Sequence, residues 1–108
     1  MNSIITRFAP SPTGNLHIGG IRTALLNYIF TEQAKKKFPS SKFFLRIEDT
    51  DIKRSNDDFK ESIISGLKWL DIIYDDEAYI QSSKIVRHKE IADELLKKGK
   101  AFKCICSG

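Results

Sequence analysis

The sequence predicts an α/β fold in which parallel strands alternate with flanking helices. Three observations carry that expectation. A short β-branched run, Ile4 to Phe8, leads through a loop into a stretch of helical periodicity. A second apolar run, Phe43 to Ile47, follows after a break, so strand, helix and strand make a βαβ unit. Both runs end in polar clusters, Pro10 to Gly20 and Glu48 to Asp51, and the carboxyl ends of strands are where open α/β sheets hold ligands.

Each element has a local reason. The first strand stops at Ala9-Pro10-Ser11-Pro12-Thr13-Gly14, because two prolines forbid both ladder and helix. From Ile18 the apolar positions Ile21, Leu25, Tyr28 and Ile29 recur at helical spacing, which predicts a helix to about Lys37 before Pro39-Ser40-Ser41 breaks it. Ser55-Asn56-Asp57-Asp58 supplies a cap and early negative charge for a second helix, whose apolar stripe is Phe59, Ile63, Leu67 and Leu70. Gly66 interrupts that helix and marks close packing. Ser82-Ser83 is expected to cap a third helix that buries Ile91, Ala92, Leu95 and Leu96 and stops at Gly99. Ala101 to Cys106 reads as another extended segment. Trp69, Tyr28 and Phe59 lie on helix stripes and are expected in the core, and His88 is expected in solvent.

The 108 residues suit one small domain, and a composition of 41% hydrophobic and 30% charged residues is that of a soluble globular chain. The apolar runs are too short to span a bilayer, and the start lacks the pattern of a secretory signal, so no membrane association and a cytoplasmic location are expected. Eighteen basic residues face fourteen acidic ones, a net charge of +4 that permits a nucleic-acid partner without demanding one. Much of the excess, Lys35-Lys36-Lys37 and Lys97-Lys98-Gly99-Lys100, closes predicted helices, where cations oppose the helix dipole.

The first loop delivers Thr13, Gly14, His17, Gly19 and Gly20 to a helix N-terminus, where free N–H groups and the positive dipole end favour phosphate. The stretch from Arg7 to Gly20, Arg-Phe-Ala-Pro-Ser-Pro-Thr-Gly-Asn-Leu-His-Ile-Gly-Gly, resembles the signature of glutamyl-tRNA synthetases almost residue for residue, with their version of the HIGH motif. Arg22-Thr23-Ala24-Leu25, Leu45-Arg46-Ile47-Glu48-Asp49-Thr50-Asp51 and Gln81-Ser82 match in the same order, so the resemblance covers essentially the whole chain.

That resemblance implies a Rossmann-like nucleotide-binding fold, of which residues 1–108 form the truncated first half. It also implies a ligase that activates L-glutamate with ATP and Mg2+ to glutamyl-adenylate and transfers the glutamyl group to tRNA(Glu). Pro10, Ser11, Pro12, Thr13, Gly14, His17, Gly19 and Gly20 would bind ATP, with His17 and Thr13 as catalytic donors to the phosphates. Arg7, whose planar fork suits a carboxylate, would hold the glutamate side chain with help from Ser11 and the backbone at Ala9. Glu48 would take the substrate ammonium, and Asp51 and Arg54 would meet the tRNA acceptor end.

Bland readings stand beside these. Arg46 reads as a structural partner of Glu48 or Asp49, and Asp49-Thr50-Asp51 as a turn or helix cap. Cys104 and Cys106 offer half of a tetrahedral zinc site. By resemblance they open an acceptor-binding or zinc insertion over about 101–108, with Zn2+ completed by later residues. The KMSKS-type lid, the second half of the fold and the anticodon-binding domain would lie beyond Gly108, so residues 1–108 alone are expected to be inactive and the intact enzyme monomeric. The rivals are glutamyl-queuosine tRNA synthetase, whose motifs differ at positions matching His17-Ile18-Gly19-Gly20 and Thr50, and a noncatalytic module binding nucleotide or tRNA.

Overall fold

The computed structural model, which describes residues 2–106, builds a three-stranded parallel sheet in the order β1-β2-β3. Strand β1 (Ile5–Phe8) leads into helix α1 (Ile18–Lys35), β2 (Lys42–Ile47) into α2 (Asp57–Trp69), and the two-residue β3 (Tyr79–Ile80) through a 3-10 turn (Gln81–Lys84) into α3 (Ile85–Lys97). Arg7 lies opposite Phe44 in the β1–β2 ladder, and Arg46 opposite Tyr79 in the β2–β3 ladder. The expected βαβ unit is therefore present and is repeated once.

Strand alternation decides where the core lies. Phe43, Leu45 and Ile47 point to one face and are fully buried with Phe8, Ala24 of α1, and Ile63 and Leu67 of α2. Both helices thus cover the same side of the sheet. The rings of Tyr28 and Phe43 meet at 6.0 Å between centroids. Asn56 caps α2, its side chain accepting from the Asp58 N–H at 2.7 Å, as its short polar side chain predicts. Leu16 locks the first loop onto both helices: a Cβ at Gly20 would come within 3.2 Å of its Cδ1, and one at Gly66 within 2.8 Å of its Cδ2.

Four expectations change. Helix α1 forms where its periodicity predicts, yet it turns Ala24, Tyr28 and Thr31 inward and leaves Leu25 and Ile29 exposed. Trp69 is 83% exposed, because at about 100° per residue it sits opposite the Leu67 face at the end of α2. No residue of α3 is fully buried, and Ala92 and Leu95 are exposed, since α3 packs chiefly on the 3-10 turn that leads into it and has no sheet beneath it. Its N-cap is Lys84, whose ammonium has no acceptor to offer, because Ser82 and Ser83 fall within the preceding 3-10 turn, whereas Gly99 stops it at φ +64° as expected. Residues 101–106 are exposed and join no strand. Positions 107 and 108 lie outside the described residues.

The short strand β3 has no counterpart among the expected elements. It is held in place by Asp75, whose N–H donates to the Phe43 carbonyl at 2.7 Å while its carboxylate accepts from the Phe43 N–H at 2.8 Å and from Lys35 at 3.2 Å. Burial opposes ionisation of Asp75, but the Phe43 N–H and the neighbouring Lys35 and Lys42 prevail and hold the carboxyl below the ordinary aspartate range.

Candidate active site

The two polar clusters meet. The Glu48 N–H donates to the Pro10 carbonyl at 2.9 Å, and the Asn56 N–H to the Pro12 carbonyl at 3.2 Å, so the first loop is tied to the end of β2 and the start of α2. Both prolines contribute only carbonyls here, which is all a proline backbone has to offer.

His17 is the N-cap of α1, in extended conformation, and its Nδ1 accepts from the Gly19 N–H at 3.2 Å. A neutral imidazole accepting at Nδ1 carries its proton on Nε2, which is left as a donor. Gly19 lets the ring lie close, for a Cβ there would stand 3.1 Å from the His17 ring and push it slightly aside. A cavity of about 270 Å³ opens beside the cap. Ser11, Thr13, Gly14, His17 and Gly20 line it over an apolar floor that includes Phe8 and Ile63. Hydroxyl, imidazole and glycine backbone around a helix N-terminus suit an anionic group.

Arg7 does not join that cavity. It projects from the other face of the sheet into an open groove of about 550 Å³ with Ile5, Phe44, Arg46, Glu77 and Tyr79. Among the described residues Arg7 makes no ion pair. Glu48 reaches the same face, where its Oε1 accepts from Arg46 Nε at 3.0 Å. Most of the residues expected to bind ATP, Pro10 and Ser11 among them, thus line the cavity on one side of the strand ends, while Arg7 and Glu48 lie on the other; Ser11, expected in both sets, is on the cavity side.

The neighbouring Asp49 is 6% exposed and turns the other way. Its carboxylate accepts from the Ser82 N–H at 2.8 Å, the Ser82 hydroxyl at 2.6 Å and Lys60 at 3.2 Å. Burial works against its charge, yet Ser82 and Lys60 outweigh it and keep the carboxyl below its usual range. Asp51 and Arg54 form an exposed i,i+3 pair at 2.6 Å, and the Arg54 hydrogen bonds draw the Asp51 carboxyl down. Sequence reasoning missed Lys60 and Tyr79. The Asp57–Lys60 spacing was a signal for the first, while a two-residue strand has no periodicity to announce the second.

Cys104 and Cys106 are exposed thiols, and the Cys106 N–H donates to Cys104 Sγ at 3.4 Å, drawing that thiol below its ordinary value. Among the described residues no group of three or more His, Cys, Asp or Glu side chains gathers to hold a metal. The pair supplies two soft ligands and no more.

A parallel sheet with its helices on one face and a capped, glycine-bearing loop at the strand ends is the nucleotide-side half of a Rossmann-like domain. The chain belongs to the family described as tRNA synthetases class I (E and Q), catalytic domain, which matches residues 3–108. It is 54% identical over 107 residues to a glutamate–tRNA ligase of Pelagibacter ubique (strain HTCC1062), covering 99% of this chain and 22% of that protein. It is 55% identical over 107 residues to glutamate–tRNA ligase 1 of Orientia tsutsugamushi (strain Boryong), covering 99% and 21%. The fold is similar, with a TM-score of 0.76 and 37% identity, to the crystal structure of a glutamate tRNA ligase from Elizabethkingia meningosepticum CCUG26117 in complex with its amino acid, over 87% of this chain and 19% of that one. The chain spans about a fifth of the length of these relatives. Among the described residues no helix is long and apolar enough to cross a membrane.

Proposed function

We propose that the polypeptide carrying this chain is a glutamate–tRNA ligase, activating L-glutamate with ATP and then esterifying tRNA(Glu). The observation that carries this reading is Arg7, without an ion pair among the described residues, set on one side of the strand ends while His17 at a helix N-terminus and Thr13 beside it stand on the other. Arg7 holds the side-chain carboxylate through its planar fork. Glu48 has Oε2 left for the substrate ammonium, since Oε1 is taken by Arg46.

The α-carboxylate then faces the loop between the two sets. Its oxygen attacks the α-phosphorus of ATP, the bond to the β-phosphate oxygen breaks, and pyrophosphate leaves. His17 Nε2–H and the Thr13 hydroxyl donate to the phosphates, and donors fixed in place stabilise the transition state without reorganising. Pro10, Ser11, Pro12, Gly14, Gly19 and Gly20 shape this side, Gly19 and Gly20 leaving room for the nucleotide. Mg2+ accompanies ATP and offsets phosphate charge. In the second step a hydroxyl of the terminal adenosine of the tRNA attacks the acyl carbon and AMP leaves, with Asp51 and Arg54 beside the acceptor end.

The relatives' names and the family support this reading. Cys104 and Cys106 form half of a zinc site completed by other residues, and the enzyme works as a monomer in the cytosol. The test is charging of purified tRNA(Glu) with labelled glutamate or glutamine by the longest polypeptide that carries this chain. Charging with glutamate in strong preference to glutamine is expected. Equal charging with both, or none by a soundly folded protein, would contradict it.

A further inference from the structure

The groove that holds Arg7 contains a second arginine, and its surroundings differ. Arg46 sits directly across the ladder from Tyr79, and its guanidinium carbon lies 4.9 Å from the centroid of the Tyr79 ring. Its Nε donates to Glu48 Oε1 at 3.0 Å, and the side chain is 31% exposed. A planar cation lying over a ring and hydrogen-bonded through Nε to a carboxylate has little freedom left. Arg7, on the adjacent strand and the same face, has no such anchors among the described residues.

The groove that the two arginines share is also lined by Asp76 and Glu77, yet it is Glu48 that Arg46 holds. By occupying Oε1, Arg46 restricts the Glu48 carboxylate and leaves Oε2 for an incoming ammonium.

We propose that Arg46 is a positioning residue for amino-acid binding, acting through Glu48 and braced by Tyr79. The inference rests on the glutamate–tRNA ligase reading above and deepens it by adding a residue to which that reading gives no role. Lysine at this position keeps the charge but loses the stacked plane and the Nε–H, so it restores part of the effect.

The experiment measures glutamate- and ATP-dependent pyrophosphate exchange, with tRNA(Glu) present, for the longest polypeptide carrying this chain and its Arg46→Gln and Arg46→Lys variants. Arg46→Gln is expected to raise the KM for glutamate about tenfold, the loss of one charge-assisted hydrogen bond, with the KM for ATP changed less than about twofold. Arg46→Lys should fall between it and the parent. A glutamate KM unmoved in Arg46→Gln would overturn the proposal, as would parallel rises in both KM values with a lowered melting temperature, which mark a purely structural role. Absence of glutamate-dependent exchange in the unmutated protein would instead remove the ligase reading, and the proposal with it.

Discussion

Replacing Asp49 with alanine removes one carboxylate on which three elements converge, the end of β2, the first turn of α2 and the 3-10 turn after β3. The loss divides unequally. Lys60 keeps Asp57 at 3.0 Å and remains partly exposed, so its share is small, about 0.5 kcal/mol. The Ser82 N–H and hydroxyl, at 2.8 Å and 2.6 Å, each lose a charge-assisted bond, about 1 kcal/mol apiece where water replaces the acceptor in part. The sum is about 2–3 kcal/mol, a large share of the stability of a chain this size. Asp49→Asn keeps one acceptor for Ser82 and should cost roughly half as much. Urea denaturation of the chain followed by circular dichroism measures both, and Ser82→Ala should add little in the Asp49→Ala background because the two share one interaction. Asp49→Ala within about 0.5 kcal/mol of the parent, or full additivity with Ser82→Ala, would show that the clamp contributes nothing beyond local geometry.

Acid should act through Asp75 and Asp49, whose carboxyls are both held below their ordinary values. A folded-state pKa below the unfolded one means that stability is fully present above the unfolded value, about 3.9, and is lost as pH falls through the folded one. Denaturation midpoints measured from about pH 6 down to about pH 3 should therefore decline, and Asp75→Asn should flatten the decline in part while starting lower at the upper end. An unchanged slope would show that Asp75 has no part in it. Gly66→Val forces side-chain atoms into the space of Leu16 Cδ2, which would stand only 2.8 Å from the new Cβ. The substitution should cost about 1–3 kcal/mol despite the better helix propensity, read as a shift in urea midpoint. A neutral or stabilising result would show that Leu16 is free to move aside.

The loop from Pro10 to Gly20 is legible in the sequence because its residues act locally: prolines end a strand and a glycine-bearing run opens a helix, although the capping of that helix by His17 itself is not among the expectations. The same holds for Asn56 at the start of α2 and Gly99 at the end of α3. What escapes such reading is set by partners distant in sequence. Ser82 has the composition of a cap but is captured by Asp49, thirty-three positions earlier, and Lys60 joins the same carboxylate. Tyr79 and Ile80 form a strand because Asp75 brings the chain alongside β2, not because two residues show a period. The apolar stripe of α3 is present as a pattern but not as burial, since periodicity reports a face and not what covers it. The resemblance names an ATP set and a glutamate set without saying how they lie relative to the sheet. Strand alternation puts Arg7 and Arg46 on the face away from the helices, with Glu48 joined to Arg46, while the loop after Phe8 carries Thr13 and His17 to the cavity on the helix side.

Pyrophosphate exchange in the presence of tRNA(Glu) tests that division most directly, when the longest polypeptide carrying this chain is compared with its Arg7→Gln variant. Exchange that depends on glutamate and not glutamine, with Arg7→Gln raising the glutamate KM at least about tenfold while the ATP KM stays near its parent value, is the predicted result. Equal use of glutamine by the parent, or a loss of ATP affinity on changing Arg7, would contradict it.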